Sequence, residues 1–264
     1  MQLSGAVVMI TGGGSGIGAA MARRFHAEGA RHVVVVDQAA AAARTVATEI
    51  GGSVEVVDVT DAAAVADLVA RTEAAHGGID VFCANAGITT GVGLDDPEDR
   101  WHRAIEVNLM AHVYAARAVL PGMLARGGGH LVMTASAAGL LTSPGDAPYA
   151  VSKHGAVAFA EWLAVTYGGQ GIGVSVVCPL GVATPLLMDP LAAGEPGAQA
   201  VAASGPIIAA DDVAGAVVAG LEAGRFLILP HPQVGTFWAQ KASDPDRWLA
   251  GVRRLTASEH RKQS

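Results

Sequence analysis

Residues 11–18 read Thr11-Gly12-Gly13-Gly14-Ser15-Gly16-Ile17-Gly18, between an apolar run at 6–11 and an amphipathic stretch at 17–28. On its own such a cluster is no more than a flexible turn. Between a strand and a helix it reads as a nucleotide site. Glycine permits the tight turn and lets a pyrophosphate approach backbone N–H groups at the positive end of the helix. Gly12, Gly14, Ser15, Gly16, Ile17 and Gly18 are therefore the first candidate cofactor-binding residues.

Beyond this loop the alternation of strand and helix repeats. Short β-branched runs at 6–11, 32–37, 53–59, 80–86, 130–136, 173–179 and 226–230 predict seven strands. Ala-rich stretches opening near Gly16, Ala39, Asp61, Pro97, Tyr149 and Asp211 predict the helices between them. That rhythm predicts an α/β fold with a doubly wound, seven-stranded parallel sheet and helices on both faces. At 264 residues the chain suits one domain, 1–264. Hydrophobic residues make up 51%, with only five Phe, three Tyr and four Trp, so Ala, Val, Leu and Gly must fill the interior and helices must pack close on the sheet.

One segment breaks the rhythm. Residues 184–206 carry Pro185, Pro190, Gly194, Pro196, Gly197, Gly205 and Pro206 among Leu186, Leu187, Met188 and Leu191. They read as an irregular, mobile substrate lid, with a plain surface loop as the alternative. Residues 231–264, with Trp238, Trp248 and a basic end at Arg253, Arg254, Arg261 and Lys262, read as a docked C-terminal extension that frays at its tip.

A formal net charge of −7 without a dense Lys/Arg block argues against nucleic acid or an anionic membrane as partner; a small organic ligand suits the chain better. Cys83 and Cys178 cannot build a disulfide framework or a four-ligand zinc site. Both lie in strand-like runs and read as buried thiols of a reducing compartment, so no metal site is expected. The N-terminus has no basic region ahead of its apolar stretch, and no run approaches the ~18 apolar residues of a membrane span. The expectation is a soluble, cytoplasmic protein.

Asp37 ends the second strand, nineteen residues after Gly18, where a carboxylate meets the adenosine ribose hydroxyls. A carboxylate there accepts from a free 2′-OH and repels a 2′-phosphate. Gln38 follows, and no Arg or Lys stands in the glycine loop, so the cofactor reads as NAD(H). Asp37 also reads as a simple helix cap.

Ser136 ends the fifth strand, and Tyr149-Ala150-Val151-Ser152-Lys153 opens the helix after it. A spacing of four puts Tyr149 and Lys153 on one helical face, one turn apart. Free tyrosine, with a pKa of about 10, is a poor base at neutral pH; a nearby ammonium favours the phenolate. Lys153 is expected to supply that charge, and Ser136 to hydrogen-bond the substrate oxygen from the strand edge. Taken alone, a Tyr-x-x-x-Lys pair is a common accident of helices.

Gly12, Gly16 and Gly18 follow Thr-Gly-x-x-x-Gly-x-Gly, not the plain Gly-x-Gly-x-x-Gly. With Asp37, Asn85-Ala86-Gly87, Ser136 and the Tyr149/Lys153 pair in order through about residue 230, the chain resembles the short-chain dehydrogenase/reductase family of NAD-dependent type, a single-domain Rossmann fold. The resemblance implies that Asp58-Val59 contacts the adenine and that Asn85-Ala86-Gly87 steadies the central strand; both also read as ordinary strand-ending turns. It implies that Asn108 holds a water that relays protons from Lys153, the plainer reading being a buried helix Asn satisfied by backbone. Val182 and Thr184 would contact the carboxamide, and the protein would be a homo-oligomer, a tetramer or dimer built partly on the Ala-rich helix 149–167. One departure stands out. The family's Pro-Gly-x-Val-x-Thr becomes Pro179-Leu180-Gly181-Val182-Ala183-Thr184, which puts bulk beside the nicotinamide.

The implied reaction is hydride transfer between NAD(H) and a secondary alcohol or ketone, with Tyr149 as acid and base and Lys153, Ser136 and Asn108 in support. Leu140, Leu141, Leu180, Leu186, Leu187 and Met188, with no Arg or Lys in 137–148 or 180–206, favour a lipophilic substrate, although core packing explains such leucines equally well. The rival readings are a 3-oxoacyl-thioester reductase, disfavoured by Asp37, a sugar-modifying epimerase, disfavoured by the glycine spacing, and a non-catalytic NAD-binding regulator, which would not need Ser136, Tyr149 and Lys153 together.

Overall fold

Seven strands, β1 (Val7–Thr11), β2 (His32–Val36), β3 (Ser53–Glu55), β4 (Val81–Ala84), β5 (Gly129–Thr134), β6 (Ile172–Val177) and β7 (Leu227–Ile228), pair in parallel in the order β3-β2-β1-β4-β5-β6-β7. This is a computed structural model describing residues 1–91, 93, 94 and 97–263, with side chains up to residue 254. The strand order reverses between β1 and β4, and the carboxyl ends of those two strands open the crevice where such sheets bind ligands.

Period-two alternation assigns each strand residue to a face. Met9, Val34, Val36, Phe82, Ala84, Leu131 and Met133 pack toward α3 (Ala62–His76), α5 (Ala111–Ala125) and α6 (Ala147–Tyr167). Val8, Ile10, Val33, Val35, Val81, Cys83 and Val132 pack toward α1 (Gly16–Ala27), α2 (Ala40–Ile50) and α9 (Ala210–Glu222). Both cores are built from Val, Leu, Ala and Met, as the aromatic-poor composition requires. Cys83 and Cys178 are buried free thiols. His130 is buried on β5 with its ring hydrogen-bonded to the Ser175 hydroxyl at 2.9 Å, and burial pushes its pKa down to about 4.

The third and seventh strands are shorter than expected. β2 ends at Val36, whose partner is Glu55, so residues 56–59 have no ladder to continue. β7 finds only Val176 and Val177 of β6 to pair with. The helix expected from Pro97 is α4 (Glu98–Ile105), a π-helical turn (Glu106–Met110) and α5 in unbroken succession. The next begins at Ala147, two residues before Tyr149, because Asp146 caps it by accepting from the Tyr149 N–H.

The segment expected to be irregular forms two short helices, α7 (Pro185–Ala192) and α8 (Pro196–Ala203). Pro185 and Pro196 open them at first-turn positions, where a missing N–H costs nothing. Their base is pinned by an isolated bridge between Val182 and Ile208. The C-terminal extension is likewise helical, α10 (Gln233–Ser243) and α11 (Pro245–Gln263). The frayed tip expected of it concerns side chains outside the described residues. Among the described residues, no helix is long and apolar enough to cross a membrane.

Candidate active site

The loop after β1 turns through left-handed backbone at Gly12 and Gly16, φ +64° and +50°. At Gly18 the constraint is space: a Cβ there would stand 2.1 Å from the Gly12 carbonyl oxygen. Helix α1 therefore starts tight against the loop, with the first-turn N–H groups of Ser15, Gly16 and Ile17 at the cleft. Asp37, one residue past β2, accepts from the backbone N–H of Gly14 at 3.0 Å and of Ala39 at 2.9 Å. The carboxylate thus ties the loop to β2 and shapes the turn ahead of α2, whose N-cap is Ala39 with no side-chain cap, so the simple helix-cap reading of Asp37 is not met.

Asn85 stitches the switch point. Its amide donates to the carbonyls of Thr11 and Gly12, while the Thr11 hydroxyl accepts from the N–H groups of Asn85 and Ala86. Asp58 accepts from the N–H and hydroxyl of Thr60 and pairs with Arg103 at 3.4 Å, and these contacts, the Thr60 N–H foremost, hold its carboxyl below the ordinary value. Arg103 lines the same cleft, a residue that no motif signalled.

Ser136 leaves β5 in extended backbone and Tyr149 lies in the first turn of α6. Burial pushes the Tyr149 phenol up to about 12, the Ser136 hydroxyl hydrogen-bonded to it acting the other way. Lys153, almost wholly buried, donates from Nζ to the Thr134 carbonyl at 2.9 Å, and burial pulls it down to about 8. Its Nζ stands 5.8 Å from the centre of the Tyr149 ring. The lowering of the Tyr149 pKa expected from Lys153 is therefore not met: at this separation the loss of hydration is the larger effect.

Asn108 lies within the π turn, a local irregularity common at functional sites. Its Oδ1 accepts from the Ile88 N–H at 2.8 Å, and its Nδ2 donates to the Ile88 carbonyl and the Ser152 hydroxyl. The side chain is committed to the loop after β4, as the plainer reading had it. One turn further, His112 is 1% exposed and neither ring nitrogen has a partner among the described residues; burial drives its pKa to about 3.

These residues border two cavities. A cleft of about 380 Å³ is lined by Gly12, Ser15, Gly16, Ile17, Asp37, Asp58, Val59, Asn85, Ala86, Gly87, Val182 and Thr184 together with Ser136, Tyr149 and Lys153. Gly14, Gly18 and Asn108 do not line it and act from behind, through Asp37, Gly12 and Ile88. A second cavity of about 800 Å³ lies between the 184–206 segment and the C-terminal helices. The two share Ser136, Tyr149, Leu180, Leu186 and Leu187.

Leu180 thus stands at the boundary of the two cavities. His231 fixes it there: its Nδ1 accepts from the Leu180 N–H, which leaves Nε2–H to donate to the carbonyls of Gly181 and Pro206. Asp146 went unremarked in the sequence, although Asp before Ala-Pro is a helix-start signal. Buried, it caps α6 and also accepts from the N–H groups of Thr90 and Gly91 and the Thr90 hydroxyl.

A glycine-lined nucleotide cleft that meets a second cavity at a Ser/Tyr/Lys cluster defines an oxidoreductase of the dinucleotide-binding class. The sequence profile of the short chain dehydrogenase family matches residues 6–193, and the chain belongs to that family. It is 36% identical to a 1-deoxy-11-beta-hydroxypentalenate dehydrogenase from Streptomyces avermitilis, across 98% of this chain and 96% of that one. It is 32% identical to a D-beta-hydroxybutyrate dehydrogenase from Cupriavidus necator over 70% of this chain and 74% of the relative. The crystal structure of a short chain dehydrogenase/reductase from Burkholderia phymatum in complex with NAD superposes with a TM-score of 0.84 at 28% identity, covering 93% of this chain and 96% of that one.

Proposed function

We propose that the protein interconverts a secondary alcohol and its ketone with NAD(H), Tyr149 serving as general base in oxidation and general acid in reduction. The observation that carries this reading is the junction of the two cavities at Ser136 and Tyr149, with Lys153 beneath. Bound NAD⁺ supplies the hydride acceptor. In oxidation the carbinol C–H electron pair leaves as hydride, the O–H proton passes to Tyr149, and the C=O bond forms. Ser136 orients and hydrogen-bonds the substrate oxygen as charge develops on it.

Gly12, Gly16 and the N-terminus of α1 fit a pyrophosphate, and Asp37 fits an unphosphorylated ribose. The solved relative bound to NAD agrees with that fit. Val182 and Thr184 would hold the carboxamide. Because the Asn108 side chain is committed to Ile88, we assign the relay water to its main-chain carbonyl in the π turn. Helices α7 and α8 form the lid, hinged at the Val182/Ile208 bridge.

A homo-oligomer is supported by α6, which leaves Val151, Trp162 and Val165 uncovered, the last 87% exposed. Cytoplasmic residence fits the two reduced thiols. The test is NADH absorbance with a panel of secondary alcohols and NAD⁺ or NADP⁺. NAD⁺-dependent turnover is expected; tight NADH binding without turnover of any member would sink the reading.

A further inference from the structure

The larger cavity is walled by the loop after β4, the segment between β5 and α6, helices α7 and α8, and the C-terminal helices. Leu141, Leu187, Val201, Phe237 and Trp248 give it an apolar interior, and at about 800 Å³ it lies near the upper end of the range for small-molecule pockets. A four-carbon acid would leave most of it to water. Its rim is different: Arg247 and Arg254 of α11 border it, and among the described residues no other cation does. Among the described residues neither guanidinium has an ion-pair partner.

The acids on the same wall are placed otherwise. Asp146 is saturated by backbone and hydroxyl donors. Asp244 accepts from the Arg247 N–H and caps α11. Glu195 stands against Gly91, on the loop after β4. An anionic ligand entering this cavity is drawn to α11 and repelled from the Glu195 side, so charge fixes which end of the ligand faces Tyr149.

On the dehydrogenase reading above, we propose that the substrate is a bulky, ring-sized hydroxy acid. Its apolar body fills the cavity, its carbinol meets Ser136 and Tyr149, and its carboxylate is held at the rim by Arg247 and Arg254. The planar guanidinium fork matches a carboxylate in two-point contact. Sequence inspection of 137–148 and 180–206 missed these cations because they lie some 40 residues beyond the second of those segments, on a helix that only the fold returns to the site.

The test uses the full-length protein loaded with NADH and calorimetric titration of adamantane carboxylate, the neutral adamantanemethanol and a coenzyme A thioester. The carboxylate is expected to bind about ten-fold tighter than the alcohol. An Arg247→Gln, Arg254→Gln double variant should erase that advantage with NADH affinity unchanged. Equal affinities, no binding of either adamantane ligand, survival of the preference in the double variant, or tighter binding of the thioester would each overturn the proposal. Turnover is scored separately, as NADH oxidation with the oxo derivative of the same acid. Binding without turnover would count against the dehydrogenase reading and not against the arginine site.

Discussion

The backbone N–H of Gly14 donates to Asp37 Oδ2 at 3.0 Å, so the glycine loop is tied directly to the carboxylate proposed to select the cofactor. Asp37→Ser removes both the acceptor for a ribose hydroxyl and the repulsion toward a 2′-phosphate. The preference for NADH over NADPH should fall by about ten-fold or more, the loss of one hydrogen bond to a charged group being about 1.5–3 kcal/mol. Steady-state kinetics with both cofactors checks this; an unchanged ratio would remove Asp37 from cofactor selection.

Gly18 has no room for a side chain. A Cβ there would meet the Gly12 carbonyl oxygen at 2.1 Å and the Asn85 amide at 2.6 Å, both parts of the frame that holds the loop. Gly18→Ala should displace the loop, lower stability by about 1–3 kcal/mol and weaken NADH binding well over ten-fold. Gly77, which caps α3 in open space, is the control: its Ala variant meets only the strain of positive φ and should keep NADH affinity.

Tyr149→Phe deletes the oxygen proposed to transfer the proton and leaves the ring. Turnover should fall by about 10²–10⁴ while NADH affinity holds. The wild-type phenol, held up to about 12 by burial, is protonated at neutral pH. Ketone reduction, which needs the acid form, should therefore run at neutral pH, and alcohol oxidation should climb steadily on the alkaline side. A flat oxidation profile from pH 7 to 10 would contradict this assignment of the base.

His112 and His130 are buried with pKa values pushed to about 3 and about 4. The unfolded chain protonates both near pH 6.5, so it binds more protons than the folded protein below that pH, and stability falls with acidification until the folded pKa values are reached. Two such groups give a slope of up to about 2.7 kcal/mol per pH unit. His112→Leu removes two unpartnered ring nitrogens and half the slope. Urea unfolding at pH 7 and pH 5 should find the variant gaining on the wild type as pH falls.

What was legible in the sequence was the local chemistry. The glycine loop, Asp37, Ser136, Tyr149 and Lys153 stood out as candidates because each sits at a strand end or helix start that short motifs mark, and short β-branched runs located all seven strands. Strand ends were not legible: β3 stops at Glu55 because β2 stops at Val36, a fact about its neighbour. The proline-rich stretch at 184–206 hid two helices because Pro185 and Pro196 fall in first turns, where proline is tolerated. The Tyr149 pKa reversed direction because burial is set by the whole fold. Arg247 and Arg254 carry no motif at all; their place on the cavity rim depends on how α10 and α11 return across the site.

That return divides the molecule in a useful way. The family's shared profile ends at residue 193, whereas α8, α10 and α11, which wall much of the larger cavity, all lie after it. On the proposed function, proton transfer and nucleotide recognition lie in the stretch that the family shares, and the choice of alcohol lies largely in the stretch after it. Evolution, or a protein engineer grafting the last 70 residues of a homologue, can exchange the molecule acted upon without touching the machinery that acts.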